Sequence, residues 1–153
     1  AAEALAGRAI GERNPEGFRL AVRRSLIWSA AVASAYALAY ALAGQPIVGL
    51  LTSQEELRSL AGDYLPWIIV SPLVSVWSFL WDGVFVGATW ADAMRNTMLV
   101  STFLVFVPVF YLTQYAGLEN HGLWLSFVVF MVARAVTMGT VFRQRAPTLF
   151  ARA

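Results

Sequence analysis

Cysteine is absent from all 153 residues, so the chain has no disulfide framework, no thiolate metal site and no cysteine nucleophile. Lysine is absent as well, and all eleven basic residues are arginine. The single histidine, His121, sits in Glu119-Asn120-His121-Gly122, and one imidazole in a turn does not make a metal site. Ser71, Ser75 and Ser78 have no neighbouring base, so no nucleophile, base and orienting group come together. No P-loop and no glycine-rich dinucleotide turn occurs, which argues against an ATP-driven engine, and neither catalysis nor a cofactor is expected. Charge is scarce, at 13% of residues.

What fills the chain instead is apolar: 59% of residues are hydrophobic, more than a soluble domain of this size can hide behind a polar exterior. They are gathered in four runs, at about residues 25–43, 66–86, 97–116 and 123–142. Each is close to the ~20 residues that carry a helix across a bilayer. The pattern predicts an all-α, polytopic membrane bundle of four transmembrane helices. Residues 1–10, rich in small side chains, read as the end of an earlier helix closed by Gly11, or as a frayed tail.

Alternating the four spans puts Arg8, Arg13, Arg19, Arg23, Arg24, Arg95, Arg143, Arg145 and Arg152 on one side of the membrane and Arg58 alone on the other. By the positive-inside rule the crowded side is the cytoplasm, which makes the C-terminus cytoplasmic and the protein a multi-pass component of the plasma membrane, the inner membrane in a bacterium.

Local signals place the helix ends. Asn14-Pro15-Glu16 is a start signal, with Asn14 as cap, Pro15 in the first turn and Glu16 at the positive end of the dipole. Ala30, Ser34, Ala37 and Ala41 form a small-residue face suited to close helix packing. Gly44, Pro46 and Gly49 are expected to interrupt the helix, and Ser53-Gln54-Glu55-Glu56 reads as a capping box that opens another, leaving 44–65 as a connection with interfacial structure. Pro66 and Pro72 near the outer end of the second span, and Pro108 in the third, predict bends.

Two charges sit at membrane depth. Asp82 lies in Phe79-Leu80-Trp81-Asp82-Gly83-Val84-Phe85-Val86-Gly87 and is the leading functional candidate, since a charge at mid-span costs roughly 2.5–3.5 kcal/mol and is kept where it faces a wet cavity or a partner. The other reading is a hydrated Asp near the cytoplasmic interface, because Gly87 is little more than one turn away. Arg134, in Met131-Val132-Ala133-Arg134-Ala135-Val136, either pairs with Asp82 or snorkels to the inner interface. Gly83 and Gly87 form a G-x-x-x-G spacing that permits close helix crossing. Trp67, Trp90 and Trp124 read as interfacial belt residues, whereas Trp77 and Trp81, one turn apart, are candidates to line a cavity.

Taken together, Ala1-Ala2-Glu3-Ala4-Leu5-Ala6-Gly7-Arg8-Ala9-Ile10-Gly11, Trp81-Asp82-Gly83-Val84-Phe85-Val86-Gly87-Ala88-Thr89, Met94-Arg95-Asn96-Thr97-Met98 and Asn120-His121-Gly122-Leu123-Trp124 resemble the C-terminal half of MATE transporters, most of all the DinF-like branch. The resemblance implies a parent of twelve helices in two six-helix lobes, a secondary antiporter that exports organic cations or amphipathic compounds in exchange for protons or sodium. This chain would supply the end of helix eight and helices nine to twelve, and would lack the N-terminal lobe and helix seven. Asp82 falls where the NorM-like branch carries an acidic residue implicated in cation binding, while the DinF-like branch is associated with an aspartate on helix one. Ser78 stands where some NorM-like members have a tyrosine.

Two other readings compete with a multidrug antiporter. A lipid-linked oligosaccharide flippase of the same superfamily would be expected to carry more intramembrane cations than Arg134 alone, and a non-transporting four-helix scaffold would need no companion lobe.

Overall fold

The computed structural model describes residues 1–150, so Arg152 of the arginine count lies outside the described residues. Within them the chain is helical: α1 (Ala2–Gly11), α2 (Pro15–Leu51), α3 (Glu55–Gly87), α4 (Ala91–Ser101), a π-helical turn (Thr102–Phe106), α5 (Val107–Tyr115) and α6 (Glu119–Leu149). Four helical units are long and apolar enough to cross a membrane: α2, α3, α4 to α5 taken together, and α6.

The hub is α3, which touches α1, α2, α4 and α6; α6 in turn touches α4, the π turn and α5. The four spans alternate in direction, so α3 and α6 run the same way. Two small cores sit at the arginine-rich end. One gathers Ala6, Ala9, Phe18, Val22 and Val84, the other Phe85, Ala88, Trp90, Ala93 and Met138. Elsewhere large apolar side chains stand open, among them Trp28, Val32, Tyr36, Leu42 and Leu50, a wall that acyl chains or further helices suit and water does not.

Helix α2 begins as the sequence predicts: Asn14 Oδ1 accepts the Gly17 amide at 2.8 Å and Pro15 takes the first turn. It then departs from expectation, running unbroken through Gly44, Pro46 and Gly49 to Leu51. In lipid a broken helix leaves backbone groups with no water to satisfy them, so losing the one hydrogen bond that Pro46 cannot donate is the lesser cost. Gly44 serves packing instead, because Leu65 of α3 lies where its Cβ would be, 2.6 Å away. The buried stripe is Ala33, Ala37 and Gly44, whereas Ser34 and Ala41 of the expected face are exposed.

Residues 44–65 are therefore two continuing helices joined at 52–54, and the capping box does not form. Gln54, not Ser53, occupies the cap position of α3, and no side chain bonds there. Arg58 instead closes the end of α2, donating through Nε to Thr52 O at 2.8 Å and through Nη2 to Gly49 O at 2.9 Å.

Pro66 and Pro72 both lie inside α3 without ending it. Pro108 does change the third span. One turn before it the chain widens into the π turn, where the Val107 amide reaches back five residues to Thr102 O. Helix α1 ends at Gly11 as expected, and the left-handed turn that closes it falls two residues on, at Arg13 with φ 52°, where the Asn14 amide bonds Ala9 O.

Candidate functional site

The site is built on the face that α3 turns to α6. Because the helices are parallel, contacts recur at a nearly constant offset: Trp67 to His121 is 54 residues, Ser78 to Met131 is 53 and Asp82 to Arg134 is 52. At the arginine-poor end Trp67 Nε1 donates to His121 Nδ1 at 3.0 Å, and Tyr64 stacks on the same imidazole with centroids 4.7 Å apart. Further along, Ser78 Oγ donates to Met131 O at 2.8 Å. One turn on, Arg134 Nη2 donates to Asp82 Oδ1 at 2.6 Å.

The structure thus brings Asp82 and Arg134 together rather than sending Arg134 out to the interface. Pairing answers the cost of two charges at this depth, since each removes the other's net charge. The pair is single-stranded: among the described residues Arg134 Nε is buried without a hydrogen-bond partner, and Asp82 makes one side-chain bond. It is also lopsided. The Arg134 side chain is 8% exposed and that of Asp82 21%, so the carboxylate is the open end and the guanidinium lies behind it.

Around this pair the predicted residues divide. Trp81 leans on Phe142, centroids 4.6 Å apart, and lies beside Gly139, where a Cβ would stand at ordinary contact distance, 3.6 Å, from the indole nitrogen. Trp77 is 39% exposed and points away from the core. Ser78 has no exposed surface and its hydroxyl is committed to Met131, so it ties helices instead of facing a ligand. Trp90 is not a belt residue: it is buried against Phe85 in the core beneath the α3–α4 turn. Gly83 and Gly87 take the opposite face of α3 and receive α1; a Cβ on Gly87 would lie 2.5 Å from Glu3 O and 3.0 Å from Gly7 N, and one on Gly83 3.2 Å from Ala2 Cβ.

Sequence reasoning missed the hydroxyls that line α6. Thr113 and Ser126 approach at 3.4 Å, as do Ser101 and Thr137. Their signal was small polar residues recurring inside apolar runs, the pattern of helix interfaces in membranes. At the arginine-rich end Asp92 and Arg145 form a bidentate pair, at 3.0 and 2.6 Å, that ties α4 to α6.

A bundle of membrane-length helices with a partly buried ion pair between two of them defines an integral membrane protein whose polar centre lies inside the span. The chain belongs to the MatE family, whose pattern it matches over residues 1–112. It is 37% identical over 144 residues to DNA damage-inducible protein F of Escherichia coli (strain K12), an alignment covering 94% of this chain and 31% of that protein. In three dimensions it resembles the eukaryotic MATE transporter AtDTX14 with a TM-score of 0.79 at 20% identity, over 99% of this chain and 35% of the transporter, a likeness of fold. The chain spans about a third of the length of each.

Proposed function

We propose that this chain is part of a secondary active efflux antiporter that exports organic cations or amphipathic compounds in exchange for protons or sodium, with Asp82 as its cation contact. The observation that carries the reading is the open carboxylate. Asp82 stands at membrane depth, keeps 21% of its side chain accessible and makes one hydrogen bond, to Arg134. A carboxylate retained in such a place marks an ion or substrate path. Of the two tryptophans, Trp81 is packed on Phe142, and Trp77, 39% exposed on α3, has the aromatic face free to attract an organic cation. Gly83 and Gly87 hold α1 close to α3, and Pro108 with its π turn gives the third span a weak point of the sort that alternating access uses.

In this reading the chain is a partial C-terminal lobe that works with further helices, an N-terminal lobe and helix seven, in a bacterial inner membrane. Support comes from its share of its relatives' length and from the open apolar groove of about 920 Å³ between α2 and α3 at the start of α1, lined by Trp28, Tyr36 and Phe79 among others. The arginine-rich end, and with it the C-terminus, faces the cytoplasm, as the excess of Arg8, Arg13, Arg19, Arg23 and Arg24 over Arg58 argues.

The test is Asp82→Asn in the complete transporter. Efflux of a fluorescent organic cation from cells is expected to fall at least tenfold at equal membrane abundance. Unchanged efflux across the pH range would overturn the role given to Asp82.

A further inference from the structure

We propose that Arg134 is the resident counter-cation of this site: it neutralises Asp82 while the site is empty, and a transported cation gains the carboxylate by displacing it. This rests on the antiporter reading and adds to it a competitor built into the protein.

The geometry of the pair is the first argument. Arginine and carboxylate can join through two parallel hydrogen bonds, and the Asp92–Arg145 pair of this same chain does so. Asp82 and Arg134 share one, Nη2 to Oδ1, while Nε of Arg134 has no partner among the described residues. The contact is therefore held by half of the available fork. An arriving cation meets a carboxylate with Oδ2 uncommitted and begins to bind before the guanidinium lets go.

Access supplies the second argument. With 21% of Asp82 exposed against 8% of Arg134, a ligand reaches the acid first and the base from behind it. The site therefore presents a negative group outward, and the positive group acts on the ligand through that acid.

Charge supplies the third. Asp82 and Arg134 together are neutral. A monovalent cation added while the guanidinium stays in place leaves one uncompensated positive charge in a medium where charge is poorly screened, so the two cations exclude each other. The exchange does not require the helices to part, because Ser78 and Met131 pin α3 to α6 one turn away. Further along α6, the hydroxyls of Thr137 and of Ser101 on α4 offer oxygens at the neighbouring α4–α6 contact to a guanidinium that has swung aside.

The experiment is equilibrium binding of tetraphenylphosphonium, at fixed pH, to the complete transporter in detergent. Arg134→Gln removes the competitor and is expected to tighten binding about tenfold. Arg134→Lys keeps the charge on a side chain without the planar fork and is expected to tighten it about threefold. Asp82→Asn weakens binding at least tenfold, and the double variant Asp82→Asn with Arg134→Gln binds at least tenfold more weakly than Arg134→Gln alone, because the acid is what the arginine competes for. A purely structural arginine gives no gain in affinity. Unchanged or weaker binding in Arg134→Gln, with an intact thermal transition, overturns the proposal; if that variant does not fold, unchanged or weaker binding in Arg134→Lys does so. Should the wild type bind no cation at all, the antiporter reading falls too, whereas a wild type that binds and an Asp82→Asn that does not, with no gain from either arginine variant, removes the counter-cation role alone.

Discussion

Over the three turns from Ser78 to Gly87, α3 is gripped on two faces by opposite means. Toward α1 it offers Gly83 and Gly87, and the contact is backbone against backbone, with Gly87 beside Glu3 O and Gly7 N. Toward α6 it offers Ser78 and Asp82, and the contact runs through side-chain hydrogen bonds to Met131 O and Arg134. In lipid no hydrophobic force drives helices together, so close approach and polar bonds are the two means available. They differ in what they permit. A backbone contact has no alternative arrangement, while a side-chain ion pair can change partners without moving a helix. The rigid half of α3 is thus the α1 face, and the exchangeable half is the α6 face that carries the candidate site.

The sharpest way to break this contrast is Gly87→Ala. The added Cβ would meet two backbone atoms, at 2.5 and 3.0 Å, that cannot swing aside. Overpacking of this kind typically costs 1–3 kcal/mol, and about 2 kcal/mol is expected here. The measurement is reversible unfolding of the purified protein in mixed micelles. A neutral result would mean that α1 slides on α3 and that the glycine face is not the rigid one.

How far the sequence foretold this contrast depends on which residues one asks about. The four spans were legible because membrane depth imposes length and hydropathy on every residue in them. The Asn14 cap was legible because capping is local, and the Asp82–Arg134 pair was one of two readings open to charges that share a depth. What the sequence hid was tertiary. Gly44 and Pro46 are breakers in water, yet α2 runs through them because Leu65 needs the space and lipid penalises a frayed helix. Trp90 resembles a belt residue until Phe85 and Met138 are seen to enclose it. That Ser78 points at Met131 and not into a cavity follows from the rotation of α3 about its axis, which depends on all its neighbours at once. The partner of the G-x-x-x-G spacing was equally hidden, since the motif says that a helix comes close without saying which.

A milder break is Ser78→Ala, on the other face. It deletes one buried hydrogen bond to a helix carbonyl and leaves a cavity of one hydroxyl. Interhelical side-chain bonds in membranes average ~0.6 kcal/mol and reach ~1.7. The loss expected is about 1 kcal/mol, half that of Gly87→Ala under the same unfolding conditions. A cost above that of Gly87→Ala would show that the α6 face is the stiffer of the two, reversing the assignment made here.

The smallest effect sharpens the comparison most, because it holds the chemistry constant and moves by one turn. Gly83→Ala makes the same change as Gly87→Ala on the same face of the same helix, but its Cβ meets the Ala2 methyl at 3.2 Å and Glu3 N at 3.4 Å. Ala2 is the first residue of α1, and a helix end gives by a few tenths of an ångström more easily than its middle does. Against that small strain stands the better helix propensity of alanine, up to about 1 kcal/mol over glycine. The two nearly cancel, so Gly83→Ala is expected to unfold within about 0.5 kcal/mol of the wild type. If it matches the loss at Gly87, the α1 contact is equally unyielding from end to end; if it is neutral while Gly87→Ala is not, rigidity is concentrated at the single crossing of Gly7 and Gly87, and the rest of the glycine face only leaves room for it.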